Sequence, residues 1–367
     1  MPESSAERET RRPGSVNAHT HLYSGLAPLG MPPPPRRPGT FVEILQLVWW
    51  RLDRALDEAS LRAAARLYIA EALLAGTTTI IDHHESPNFI EGSLDVLAEE
   101  GEALGARLVL TYGATERNGG RDEARRGLAE CARFIRAARF PRAKGLVGLH
   151  ASFTVGDDTV REAGELARAL HVPLHLHVAE AESDVDDARG RGYDGPLERV
   201  AALGALAAGS ILAHGVWLDS TSVRRAEEAG AWLVQNPRSN VNNGVGYPRA
   251  LQASGHVALG TDGFPSNLDD EERALLEAAD RNGDPRDRAT LAGVRQAGLR
   301  LAASFDGGAL SDHVVGAAGG RPRTVVVDGQ TVVEDGRLVR ADLEEIRAHA
   351  GEQARRLWSR TADLAEQ

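Results

Sequence analysis

Short apolar runs rich in β-branched residues alternate along the chain with longer segments in which apolar residues recur every three or four positions. A short run bounded by turn residues predicts a β-strand, and the longer pattern predicts an amphipathic helix. Eight runs predict strands: Ser15 to His21, Thr77 to His83, Arg107 to Gly113, Gly145 to His150, Pro173 to Val178, Ser210 to His214, Ala231 to Gln235 and Val257 to Asp262. The helical pattern is clearest at Ser60 to Ala75, Arg121 to Ala138, Asp158 to Leu170, Pro196 to Ala207 and Ser220 to Ala229.

This alternation predicts a barrel. Strands separated by helices pair in parallel, because each helix carries the chain back to the start of the next strand. Eight such units are enough to close a (β/α)8 barrel, which we place over residues 15–312. An open, doubly wound sheet is the alternative, but no Gly-x-Gly-x-x-Gly turn follows the first predicted strand.

The ends of the chain are predicted to lie outside the barrel. Residues 1–14 are polar and are interpreted as a tail. In residues 313–367, the pattern predicts a hairpin over Thr324 to Val333 that turns at Asp328-Gly329, and then a helix from Asp342 to Leu364 packed on the barrel.

Composition and charge disfavour several classes of function. The 367 residues carry a formal net charge of −11, which disfavours nucleic acid or an anionic membrane as a partner. The single cysteine, Cys131, excludes an intramolecular disulfide and suits a reducing cytosol. No apolar run approaches the roughly 18 residues of a membrane span, and the N-terminal segment lacks the apolar core of a signal peptide. We therefore expect a cytoplasmic globular protein.

The first predicted strand ends in Asn17-Ala18-His19-Thr20-His21. Side chains two positions apart on a strand point the same way, so His19 and His21 can reach one ion. The motif is common by chance, but His177, His214 and Asp262 also end predicted strands, and all strand ends of a β/α barrel meet at one face. Imidazoles with one carboxylate suit a single divalent metal, zinc first, with iron or manganese as alternatives.

Such a site can perform hydrolysis. A bound metal ion lowers the pKa of water to about 7. Hydrolysis of a C–N bond also needs a proton carrier, and Glu180, three residues after His177, is the candidate acid/base. A solvated carboxylate at the start of a helix is the alternative reading of Glu180. His214 can polarise the substrate or orient water, and Asp262 can accept the water proton.

Other polar side chains at predicted strand ends are candidates for contact with a hydrogen-bonding heterocycle. His175 shares strand parity with His177 but lies deeper, so we expect it behind the metal site. The predicted substrate contacts are Tyr23, His83, His84, Arg117, His150, Arg238 and Asn240.

Together these residues resemble the amidohydrolase superfamily, in particular its cytosine-deaminase-like mononuclear branch, and are most similar to SsnA-type aminohydrolases. That branch carries His-x-His on strand one, His on strands five and six, and Asp on strand eight. The similarity includes Asn17 to Leu26, Trp49 to Glu58, Ile81 to Pro87, Leu176 to Glu180, Asn240 to Asn243, Val245 to Tyr247 and Leu259 to Gly263.

The resemblance implies a distorted TIM barrel, a homodimer, and deamination of a purine, a pterin or a related heterocycle. It assigns catalytic roles to Glu180 and His214 and a substrate contact to His150. Relatives pair a longer N-terminal β-segment with C-terminal strands in a small β-sandwich, and we expect only a reduced remnant of it here, the C-terminal hairpin. The implied metal ligands are His19, His21, His177 and Asp262.

Two other functions remain open. The same site could open a cyclic amide or remove another leaving group. Ring-opening relatives with two metals use a carbamylated lysine at the end of strand four, whereas the only lysine, Lys144, lies at the start of that strand and His150 at its end. This favours one metal. A non-catalytic binding protein is the other alternative, although every expected catalytic group is present.

Overall fold

The computed structural model describes residues 9–317 and 320–364, so residues 1–8 of the predicted tail lie outside the described residues. The strands are β1 (Thr10–Pro13), β2 (Ser15–Thr20), β3 (Thr77–His84), β4 (Arg107–Ala114), β5 (Ala143–Gly145), β6 (Val147–Ala151), β7 (Leu174–Val178), β8 (Ile211–His214), β9 (Trp232–Gln235), β10 (Val257–Leu259), β11 (His313–Gly316), β12 (Thr324–Val327), β13 (Gln330–Glu334) and β14 (Arg337–Leu338). The α-helices are α1 (Phe41–Ile44), α2 (Trp50–Ala55), α3 (Glu58–Leu74), α4 (Ser93–Leu104), α5 (Gly120–Ala137), α6 (Asp157–Leu170), α7 (Glu182–Gly190), α8 (Pro196–Ala202), α9 (Ser220–Glu228), α10 (Pro237–Asn242), α11 (Leu268–Asn282), α12 (Arg288–Phe305) and α13 (Leu343–Asp363).

Eight parallel strands of the described chain form the predicted barrel. They follow the order β2, β3, β4, β6, β7, β8, β9, β10, and β5 pairs beside β4. The ring closes because the amides of Thr261 and Asp262 both donate to the carbonyl oxygen of His19, at 2.9 and 3.0 Å. The prediction of a TIM barrel is therefore confirmed, and its closure brings the ends of the first and last strands together.

Local signals explain where the helices begin. The N-cap of α3 is Asp57, whose Oδ1 accepts a hydrogen bond from the amide of Ser60 at 2.9 Å. This capping box satisfies amides that have no partner within the helix. The helix therefore begins two residues before the predicted start at Ser60.

A second sheet corrects the prediction for the chain ends. In the described residues it has five antiparallel strands, in the order β1, β11, β12, β13, β14. Residues 10–13, interpreted as tail, form β1 and pair with β11. Their sequence, Thr-Arg-Arg-Pro, has no apolar alternation that would mark a strand. The sandwich remnant is thus larger than one hairpin.

The predicted hairpin and C-terminal helix are present. Asp328 and Gly329 have φ of 52° and 71°, as a type I′ turn requires. Helix α13 packs against α2 and α3. Nη2 of Arg51 donates to the carbonyl oxygen of Thr361 at 2.7 Å, which ties α2 to α13. No helix among the described residues has the length and apolar character needed to cross a membrane.

The core between α12 and the barrel gives a first testable prediction. Leu301 is 0% exposed in a cluster with Val16 and Ala258, whereas Leu310 is 65% exposed. We expect Leu301→Ala to lower the free energy of unfolding by about 2–5 kcal/mol, because it leaves a cavity. Leu310→Ala should change it by less than about 0.5 kcal/mol. Denaturant titration measures both, and equal effects would contradict this assignment of the core.

Candidate active site

The structure brings four predicted metal ligands to one point at the carboxyl ends of the strands. Oδ1 of Asp262 lies 2.9 Å from Nε2 of His21 and 3.4 Å from Nε2 of His19. Nε2 of His177 lies 3.3 Å from Nε2 of His21. One ligand atom from each of the four residues lies within 4.8 Å of the others, which is compatible with one shared ion.

Each of the three histidines has a partner at Nδ1, so Nε2 is the nitrogen that faces the common point. A backbone carbonyl oxygen can only accept, so Nδ1 of His21 and of His177 carries a proton, and in the neutral imidazole the lone pair is then on Nε2. Nε2 of His19 is buried without a hydrogen-bond partner among the described residues. This donor set fits a metal such as zinc. The Nδ1 partners are His175 Nε2 for His19 at 2.8 Å, His83 O for His21 at 2.5 Å and His150 O for His177 at 2.6 Å.

Burial and the neighbouring charged groups together set the pKa values of these side chains. It lowers the pKa of His19 to about 3 and the pKa of His177 well below its usual range, which keeps both imidazoles neutral. Burial also acts to lower the pKa of His21, but the carboxylates of Asp262 and Glu85 outweigh it and raise that pKa to about 10. The pKa of Asp262 would be raised by burial, yet the neighbouring imidazoles of His19 and His21 hold it well below its usual range.

The backbone is strained at three strand ends of this site. Ala179, His214 and Asp262 have φ of 51°, 74° and 52°, in the left-handed region that residues other than glycine rarely adopt. Each such conformation costs on the order of 1–3 kcal/mol and is typical of functional sites. Gly260 allows the close approach before Asp262, because a Cβ there would lie 2.7 Å from the carbonyl oxygen of His19.

Glu180 and His214 face each other beside this cluster. Oε2 of Glu180 lies 3.6 Å from Nε2 of His214, and Nδ2 of Asn243 donates to Oε1 of Glu180 at 3.4 Å. Nδ1 of His214 is 2.9 Å from Oδ1 of Asn240, which orients the ring. Burial raises the pKa of Glu180 to about 7, so this carboxyl can gain or lose a proton near neutral pH.

A cavity opens onto these groups. Tyr23 and His150, both predicted substrate contacts, line it. Its aromatic walls suit a flat heterocycle. The lining residues are His21, Tyr23, Leu45, Trp49, Trp50, Asp53, His150, Ala151, Phe153, His177, Glu180, Asp184, Asn243, Asp262 and Gly263.

The other five predicted substrate contacts are absent from this lining in the described part of the chain. Nε2 of His84 is 2.7 Å from Oγ of Ser86, and burial lowers the pKa of His84 to about 3. Asn240 is engaged by His214, as described above. His83 pairs with Glu85, at 2.7 Å between Nδ1 and Oε1.

Both predicted arginine contacts are held by carboxylates. Nη2 of Arg117 donates to Oδ2 of Asp53 at 2.7 Å, and its guanidinium lies 4.8 Å from the ring centre of Trp50. The side chain of Arg238 pairs with Glu271, which also accepts from the Arg238 amide at 2.8 Å. Their strand-end positions did not indicate these partners, which come from other segments of the chain.

Sequence reasoning missed several lining residues. Asp53 is among them, and burial raises its pKa to about 6 despite the contact with Arg117. Asp53 lies within Trp49 to Glu58, a segment that carries the family resemblance, and this was the only signal in the sequence that could have marked it as a site residue. Phe153 follows the end of β6 by two residues and Asp184 follows the end of β7 by six, and neither lies in a segment that carries the family resemblance.

Comparison with known proteins decides the family. The sequence model of the group described as "Amidohydrolase family" matches residues 12–332. The chain belongs to the amidohydrolase family. As a member of this family, it is a hydrolase that acts on C–N bonds, and its His/Asp cluster is in keeping with the metal dependence of the family.

Two relatives illustrate the similarity. The chain is 29% identical to a 5'-deoxyadenosine deaminase of Methanopyrus kandleri over 96% of this chain and 88% of that protein. It is 32% identical to an 8-oxoguanine deaminase of Pseudomonas aeruginosa over 74% of this chain and 63% of that protein.

Solved structures share the fold. An adenosine deaminase from Xanthomonas campestris with bound zinc superposes with a TM-score of 0.81 at 24% identity, over 96% of this chain and 86% of the other. An atrazine chlorohydrolase from Arthrobacter aurescens complexed with zinc gives a TM-score of 0.75 at 22% identity, over 96% and 91% of the two chains.

Proposed function

We propose that this protein is a metal-dependent aminohydrolase that deaminates a purine-like heterocycle. The observation that carries the proposal is that His19, His21, His177 and Asp262 meet at one point, with Glu180 in the same cavity. A metal site beside a buried carboxyl of raised pKa is the arrangement that hydrolysis of a C–N bond needs.

The chain's own residues would divide the work as follows. The four converging side chains would hold one divalent ion, which supplies hydroxide by acidifying water. Glu180 accepts a water proton and delivers it to the nitrogen that leaves, while His214, 3.6 Å from Glu180, orients the water or polarises the ring carbon. A C–O bond forms, a C–N bond breaks, one water proton ends on a ring nitrogen, and the amino group departs as ammonia.

The substrate class rests on the relatives and on the cavity. Relatives of this chain are named as deaminases of 5'-deoxyadenosine and 8-oxoguanine, both purine compounds. The side chains of Trp49, Trp50 and Phe153 line the cavity beside Glu180, and their flat aromatic rings suit stacking on a planar heterocycle. A purine is therefore our first choice, with pterins and related heterocycles as the next.

Release of ammonia tests this function. The purified protein, incubated with purines, pterins and triazines, should release ammonia from at least one purine-like compound. A hydrolysed product without ammonia would replace deamination by ring opening or by loss of another group. If no compound reacts and no stoichiometric metal is bound, a non-catalytic binding protein becomes the better interpretation.

We propose one zinc ion per chain, with iron or manganese as alternatives. The only lysine, Lys144, is exposed on β5, so it is not available as a buried bridging ligand for a second metal. Elemental analysis of the purified protein is expected to find about one transition metal per chain. Two metals per chain would contradict the mononuclear site.

The remaining predictions come from the sequence. A homodimer and closeness to SsnA-type enzymes follow from the resemblance, and a cytoplasmic location from the lone cysteine, Cys131, which is buried and unpaired. Light scattering of the purified protein measures the oligomeric state, and a monomer would contradict the homodimer.

A further inference from the structure

A buried carboxylate–imidazole pair lies beside the proposed metal ligands and has no role in the chemistry above. Oε1 of Glu85 is 2.7 Å from Nδ1 of His83, and Nε2 of His83 is 3.0 Å from the carbonyl oxygen of Leu149. The exposed fractions of Glu85 and His83 are 1% and 0%. Both hydrogen-bond partners of the ring are acceptors, so His83 donates from both nitrogens and carries a positive charge.

The pair contacts the proposed ligands directly. The ring centre of His83 is 4.6 Å from that of His177 and 5.8 Å from that of His21. Nδ1 of His21 donates to the carbonyl oxygen of His83 at 2.5 Å, and Oε2 of Glu85 lies 3.5 Å from the same nitrogen. The position and charge of the pair therefore act on two proposed ligands at once.

Strand β4 leaves room for the pair. A Cβ at Gly113 would lie 2.6 Å from Oε1 of Glu85 and 2.5 Å from Cε1 of His83. Both carboxylate oxygens of Glu85 face an imidazole nitrogen, Oε1 that of His83 at 2.7 Å and Oε2 that of His21 at 3.5 Å, which is the arrangement of an ionised carboxylate that accepts from both. A buried anion of this kind is stable only with a close cationic partner.

We propose that Glu85 is a positioning residue for the metal ligands. Its negative charge balances the cation of His83, and its hydrogen bond fixes the ring against which His177 packs and the carbonyl to which His21 donates. Without that charge, a buried cation would remain next to ligands that must accept a dication. The inference rests on the proposed function, because it takes the four side chains to be metal ligands.

Zinc affinity of the full-length protein tests the role of Glu85. We expect Glu85→Gln, which keeps the shape and loses the charge, to weaken Zn²⁺ binding by roughly 10- to 100-fold. Glu85→Asp keeps the negative charge that compensates His83. Its Zn²⁺ affinity should therefore stay within about threefold of that of the wild type. Competition with a chromogenic chelator measures each affinity in the metal-depleted protein.

A matched control separates this role from general stability. Glu130 on α5 is 2% exposed and pairs with Arg133 at 2.7 Å. Glu130→Gln also removes a buried charge, and it should lower the thermal midpoint without changing zinc affinity. If it weakened zinc binding as much as Glu85→Gln does, the effect would be structural and the proposal would fall.

The outcomes distinguish the two proposals. If the wild type binds no zinc, iron or manganese, the proposed function fails and this inference with it. If the wild type binds zinc and Glu85→Gln binds it equally well, only the inference fails. Should Glu85→Gln not fold, Glu85→Asp decides, because a loss of about tenfold or more with the charge retained would contradict charge compensation.

Discussion

Asp262→Ala is expected to abolish stable metal binding and to lower kcat/KM by at least about 10³-fold, since a catalytic metal contributes several kcal/mol and each 1.4 kcal/mol is a factor of ten. Asp262 supplies the only carboxylate among the four converging residues, and its Oδ1 is within 3.4 Å of two imidazole nitrogens. Elemental analysis and initial rates of ammonia release measure the two effects.

Asp269→Ala is the matched control for this change. Asp269 is exposed in the first turn of α11 and pairs with Arg295. The control should keep both metal and activity. An Asp262→Ala protein with a full complement of metal and wild-type activity would disprove the assignment of the site.

Glu180→Gln is expected to keep the metal and to lower kcat by at least the roughly 10²-fold typical of a lost acid/base. The amide keeps the size of Glu180 but cannot take up and release the proton. Glu182→Gln, the same change at an exposed position two residues later, should have little effect. Ammonia release and metal content are measured together, so loss of metal is not mistaken for loss of proton transfer.

The pH dependence of kcat/KM is an independent test of the role of Glu180. Burial raises its pKa to about 7, and the reaction begins from the carboxylate, so kcat/KM should fall as pH decreases through this pKa. A bound cation nearby lowers the pKa, which places the acidic limb at or below about pH 7. The limb should be missing in Glu180→Gln. If the variant kept the same limb, another group would be responsible for it.

The sequence alone was sufficient to predict the barrel and the convergence of the site residues at the carboxyl ends of its strands. Eight apolar runs separated by helical patterns predict parallel strands, and the ends of such strands meet because the sheet closes. His19, His21, His177 and Asp262 each lie at or just beyond a strand end, so closure of the barrel suffices to bring them together. That inference needs only the period of the hydrophobic pattern and the parallel topology of a closed sheet.

The tertiary structure decided which polar residues reach the cavity. Arg117 and Arg238 also lie near strand ends, but Asp53 and Glu271 engage their side chains. These partners come from distant segments. The sequence pattern did not predict strand β1 for a related reason: the strand is polar and is held by backbone pairing with β11, about 300 residues later in the chain.

What the sequence determined by itself was the order of strands and the identity of the groups at their ends, because apolar periodicity is a local property of the chain. Only the tertiary structure decided the directions of those groups. The left-handed backbone at His214 and Asp262, and the pair of Glu85 with His83 in the space left by Gly113, depend on contacts between strands that are far apart in sequence. Hydrogen bonding and packing across the closed barrel fix these directions, and no local pattern encodes them.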